Sequence, residues 1–196
     1  MQPHKLRRGV LVAVGVLALG PLSACSDDED PAGEPAPSEE PTAATELTVD
    51  AELGEVRGRL AKADRRQMLG SVGDVVERWW QEGYVVLGDE VDTSAAFRGF
   101  TPTASRQAIR SKGVTTNAAA KRADDVVVRR GTATVDVLAP GGTPAGATVR
   151  VKVVMDLTGE SERTEVVTGR LFLTRMKGAW KVFGFDLDRQ ERGGKA

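Results

Sequence analysis

The sequence predicts an α+β domain, with N-terminal helices packed on a curved antiparallel β-sheet. Apolar residues recur at helical spacing as far as about Lys112, and beyond Asp124 they alternate with polar ones. The alternating runs are joined by short turns, whereas a parallel crossover needs a dozen or more residues. The chain has 196 residues, 40% of them hydrophobic, which suits one domain with appendages.

In chain order, Leu53, Val56, Leu60 and Ala63 predict a first helix over 51–68, weakened by Gly54 and Gly58. A second helix starts at Ser71, where Ser71 and Asp74 resemble a capping box. Val72, Val75, Val76 and Trp79 form its apolar stripe, and Gly83 ends it. A third runs from Pro102 to about Lys112 with Thr101 as its N-cap, and Phe97 and Phe100 just ahead plug it into the core. Residues 126–138 read as two short strands around Arg130-Gly131 or as one bulged strand, and residues 140–146 form a loop. Val149, Val151, Val153, Met155 and Leu157 then alternate with Arg150, Lys152, Val154 and Asp156, as a half-buried strand does. Strands over 166–175 and 180–187 follow, joined at Lys177-Gly178. The stretch 190–196 reads as a polar tail.

The N-terminus carries an address. Lys5, Arg7 and Arg8 precede an apolar run over 10–19, broken only by Gly15. That run is half the roughly 20 apolar residues a membrane-spanning helix needs, and it fits a removable signal peptide over 1–24. Leu22-Ser23-Ala24-Cys25 resembles the lipobox of bacterial lipoproteins. The resemblance implies cleavage before Cys25 and a diacylglyceryl group on its thiol. The chain would then be held at the cell membrane by acyl chains, facing the extracytoplasmic side. Residues 25–46 are acidic and rich in Pro, without an apolar side chain large enough to build a core until Leu47, and predict a disordered tether. The domain proper is placed at 47–189.

Composition excludes several chemistries. Cleavage before Cys25 removes the single His, His4, and lipidation occupies the single Cys. Serine hydrolases with a His base, Cys-His proteases and His/Cys zinc sites therefore fall away, as does any disulfide within the chain. The loop at 140–146, PGGTPAG, lacks the Lys-Ser/Thr ending of a phosphate-binding loop. The acidic run Asp27 to Asp30 lacks the fixed turn of a calcium loop. No cofactor and no metal are predicted. Residues 51–196 hold 24 basic and 19 acidic residues, a modest excess compatible with anionic partners. The doublets Arg65-Arg66, Lys121-Arg122 and Arg129-Arg130 lack interleaved aromatics, so nucleic acid is not predicted as a partner.

The helix containing Trp79 that runs into Gly88-Asp89, and the ending Lys177-Gly178-Ala179-Trp180-Lys181-Val182, resemble the NTF2-like (cystatin-like) superfamily of cone-shaped domains. The Phe100-Thr101-Pro102 helix start and the terminal hairpin are also similar to exported actinobacterial proteins, including domains associated with Mce lipid-transport systems. The first resemblance implies a pocket between helices and sheet, and pairing into homodimers through the sheet. Asp, His or Tyr would carry any catalysis there, which leaves Tyr84 with Asp136, Asp156 and Asp186. Alternation places all three carboxylates on the outward face.

Trp79, Trp80, Tyr84, Trp180, Phe183 and Phe185 are the candidate pocket or interface residues. Trp79 and Trp80 stand about 100° apart on a helix, which predicts one buried and one near a rim. The resulting expectation is a non-catalytic binding or scaffolding module at the cell envelope, meeting an envelope protein. The alternatives are a carrier of a small apolar or lipidic ligand, and an enzyme working through Asp and Tyr84.

Overall fold

The computed structural model describes residues 49–120, 122–160 and 162–192. Cys25 and the stretches read as a signal peptide and a tether lie outside the described residues. Five strands form one sheet in the order β1-β2-β3-β4-β5. These are β1 (Asp50–Gly58), β2 (Ala123–Ala139), β3 (Gly146–Gly159), β4 (Arg163–Met176) and β5 (Ala179–Arg192). The helices α1 (Lys62–Tyr84), α2 (Thr93–Ala96), α3 (Pro102–Arg110) and α4 (Lys112–Thr115) fall between β1 and β2 in sequence. The predicted α+β class, helices packed on a sheet, is the observed one.

β2 to β5 form an antiparallel meander, and β1 joins its edge in parallel with β2. The helix expected over 51–68 is therefore a strand in its first half. An irregularity between Leu53 and Val56 places the extra residues Gly54 and Glu55 opposite Asp136. The bulge stretches the inward spacing from two residues to three, so Leu53 and Val56 imitate a helical pair. Gly54 is demanded by closeness: a Cβ there would lie 2.1 Å from Asp136 Oδ1.

The second half of the helix expected over 51–68 and the one expected from Ser71 form a single helix, α1, which starts at Lys62 and is continuous to Tyr84. Ser71 is thus an exposed interior residue rather than a cap. Met68 is already in the core, and this tertiary anchor carries the helix through Gly70 despite its low propensity. From Met68 the buried face continues through Val72, Val76, Trp79 and Trp80 to Tyr84. α3 begins as predicted, with Pro102 in its first turn and Thr101 Oγ1 accepting the Ala104 N–H at 3.3 Å. The segment before it is tied to β5, since Thr101 N–H donates to Val182 O and Val182 N–H to Gly99 O, at 2.8 and 3.0 Å.

β2 is a single strand with a bulge at Arg129, where pairing jumps from Val128–Met155 to Arg130–Val154. The buried set accordingly shifts phase, from Val126 and Val128 to Ala133, Val135 and Val137. β5 extends to Arg192, three residues into the stretch read as a polar tail, and Gln190 pairs with Val166. The helices cover one sheet face and the other faces solvent. No helix among the described residues is long and apolar enough to cross a membrane.

Candidate functional site

The interior between helices and sheet is packed with aromatic rings. Trp79, Trp80 and Tyr84 are all fully buried, so neither tryptophan lies at a rim. Trp79 Nε1 donates to Thr115 O at 2.9 Å, and Tyr84 Oη donates to Val114 O at 2.6 Å. Trp80 lies against β2 at Gly131, and its Nε1 has no partner among the described residues. Edge-to-face contacts link Trp79 to Tyr84 at 5.4 Å, Trp79 to Phe100 at 6.3 Å and Phe97 to Phe100 at 5.1 Å between centroids. Phe185 is half-buried and reaches Phe100 at 6.4 Å. Trp180 is buried, beside a depression of about 260 Å³ lined also by Ser71, Asp74 and Arg78.

Phe183 points the other way. Uninterrupted alternation would put Phe183 and Phe185 on one face. In β5, however, Leu173 pairs with Val182 and Phe172 with Gly184, which leaves Phe183 as the extra residue. The bulge turns Phe183 onto the open face, where it is 53% exposed and its ring lies 6.3 Å from that of Phe172. Together with Leu138, also 53% exposed, these rings line a groove of about 500 Å³. β3 lines it through Gly146, Ala147 and Thr148, next to Val137 of β2 and Leu173 of β4, and Glu55 and Arg57 of β1 contribute to its lining.

Ion pairs surround this apolar centre. Arg150 reaches Asp136 through Nε and Nη2 at 3.1 and 3.2 Å, and the same carboxylate accepts the Glu55 N–H at 2.9 Å. Asp136 therefore satisfies the bulged β1 backbone and orients an arginine at the groove. Arg170 Nη2 donates to Asp186 at 2.9 Å, and Arg57 Nε to Glu55 at 3.2 Å. Farther along the same face, Asp156 accepts from Thr164 Oγ1 at 2.8 Å and pairs with Arg129. The threonine hydroxyl first, and then Arg129, hold the Asp156 carboxyl below its usual 3.8 against the opposing effect of burial. All three aspartates stand on the outward face, each paired with an arginine. Tyr84 is driven in the opposite direction. Burial raises its pKa far above the ordinary phenol value, the Arg189 charge offsets only part of the rise, and the side chain stays a protonated donor.

Sequence reasoning missed the buried polar hub. Asn117, fully buried, donates Nδ2 to Tyr84 O and its backbone N–H to Gly83 O, both at 2.7 Å. It thereby satisfies carbonyls left open at the end of α1. Arg189 donates to Asn117 Oδ1 at 2.8 Å and to Thr116 O at 2.9 Å, and pairs with Glu165. Arg163 donates to the same carboxylate at 2.6 Å. Leu138 and Phe172 were missed as well, although each is an apolar residue in the outward phase of an alternating strand. No group of three or more His, Cys, Asp or Glu suited to a metal ion occurs among the described residues.

No protein-family profile and no curated protein matches the chain. Among solved structures, a protein of unknown function with a cystatin-like fold from Nostoc punctiforme is similar, at 11% sequence identity. The match covers 67% of this chain and 95% of that one, with a TM-score of 0.40.

Proposed function

We propose that the chain is a lipid-anchored, extracytoplasmic protein whose NTF2-like domain is a non-catalytic binding module, and that it meets its partner on the open face of the sheet. The supporting observation is the groove lined by Leu138, Phe172 and Phe183, an apolar centre bordered by the ion pairs Arg150–Asp136, Arg170–Asp186 and Arg57–Glu55. An exposed Phe183 beside the half-buried Phe172, framed by arginines, supplies residue types that are enriched at protein interfaces. The lipobox resemblance at Cys25 supports the anchor, and two acyl chains hold a domain at a bilayer where one does so only marginally. The non-catalytic reading is supported by the engaged state of each candidate group. Tyr84 donates within the core, and Asp136, Asp156 and Asp186 are neutralised by arginines.

Native mass spectrometry of the chain, released gently from membranes and compared with its denatured mass, tests this reading. A bare mature mass is expected of a module that binds proteins. A co-purifying apolar molecule that is lost with Leu138→Asp would overturn it and make the groove the site of a small-molecule carrier.

A further inference from the structure

Between Thr93 and Ala123 the sequence holds Arg98, Arg106, Arg110, Lys112, Lys121 and Arg122 and no Asp or Glu. α3 lies in the middle of this stretch. Ala104 and Ala108, one turn apart, are fully buried and point it at the core. At 100° per residue the opposite side is centred on Arg106, with Ile109 and Arg110 flanking it. All three are exposed, Ile109 at 44%, and Lys112 follows at the start of α4, also exposed. Arg106 Nη2 donates to a neutral side chain, Thr103 Oγ1, at 3.3 Å. None of Arg106, Arg110 and Lys112 forms an ion pair among the described residues, whereas each groove arginine has its carboxylate.

From this we infer that the outer side of α3 is a docking surface for an anionic lipid bilayer. The three cations meet acidic headgroups and Ile109 enters the headgroup–acyl boundary between them. An exposed apolar residue among cations that form no ion pair favours a bilayer over a soluble polyanion, which has no apolar layer to receive it. The orientation follows from the fold. α3 belongs to the helix layer and the groove to the opposite sheet face, so a domain resting on α3 turns the groove away from the lipid. The inference rests on the anchored reading only for keeping the bilayer near. A patch too weak to hold a free protein suffices for a tethered one, because tethering raises its effective concentration.

The test uses the full lipid-anchored chain carrying Ile109→Cys, labelled with an environment-sensitive fluorophore. The parent chain, with Cys25 alone, sets the background. The labelled chain is reconstituted in vesicles of phosphatidylcholine, with or without phosphatidylglycerol. Flotation with pure phosphatidylcholine vesicles reads the anchor, and the dye reads the docking, so the two readings fail separately. Expected is a blue shift and protection from an aqueous quencher only in the phosphatidylglycerol vesicles, reversed by high salt. Arg106→Gln with Arg110→Gln should lower the docked-to-undocked ratio about 25-fold, at about fivefold per basic residue. A dye exposed to water in both vesicles, or shifted equally in both, would overturn the inference.

Discussion

Gly131 and Trp80 form a close contact between helix layer and sheet, and its strength can be measured. A Cβ at position 131 would lie 2.6 Å from Trp80 Cζ3, 3.0 Å from Cε3 and 3.3 Å from Cη2. Trp80 is fully buried, and Trp79 lies only 6.2 Å away between ring centroids, so the indole has little freedom to retreat. Gly131→Ala should therefore destabilise the domain by about 2 kcal/mol, as overpacking of a filled core does. For a domain of this size that lowers Tm by roughly 5–8 °C. Trp80→Phe gives up no hydrogen bond, because Nε1 has no partner among the described residues, and should cost about 1–2 kcal/mol in lost packing alone. The smaller ring also makes room for the methyl group. The double variant should then be more stable than the sum of the singles implies, by about 1 kcal/mol or more. Urea denaturation of the four proteins, with Trp fluorescence and far-UV circular dichroism as probes, measures the cycle. A neutral Gly131→Ala, or strict additivity in the double variant, would refute the packing described here.

Three further outcomes follow from the structure. Asn117→Ala leaves the Tyr84 carbonyl and one Arg189 donor without their partner, and should cost about 2–4 kcal/mol by the same denaturation assay. Asp156 has a depressed carboxyl pKa, so its contribution is present above the ordinary value of 3.8 and fades as pH falls below it. The Tm gap between the parent and Asp156→Asn should accordingly be open at pH 7 and close on acidification through that range. Cys25→Ser should abolish incorporation of labelled palmitate and release the chain from the membrane fraction, whereas undiminished incorporation would remove the lipobox reading.

β3 was legible because its phase is continuous from Val149 to Leu157 and its outward residues are polar apart from Val154. Errors gathered where an extra residue breaks the phase. The β1 bulge made Leu53 and Val56 look helical, and the β5 bulge made Phe183 look like a partner of Phe185. A single sequence marks such bulges weakly, since pairing with a neighbouring strand decides them. The continuity of α1 was missed: two helices were expected, one ending at Met68 and one starting at Ser71, whereas the buried Met68 carries a single helix across Gly70. Among the candidate residues, the aromatic set was recognised but its division was not. Trp79, Trp80, Tyr84 and Trp180 fill the interior, and only Phe183 reaches the groove. The buried hub escaped because an isolated Asn117, a distant Arg189 and Glu165 share no sequence pattern.

The central claim is that the open sheet face, rather than the helix-covered interior, is the working surface. A photo-crosslinking residue at position 183, compared with one at the exposed Thr158 far along the same face, tests it in cells of the source organism. The account predicts a discrete envelope-protein adduct from position 183, lost with Leu138→Asp, and no discrete adduct from position 158. Equal labelling from both positions, or an adduct at 183 that survives Leu138→Asp, would contradict it.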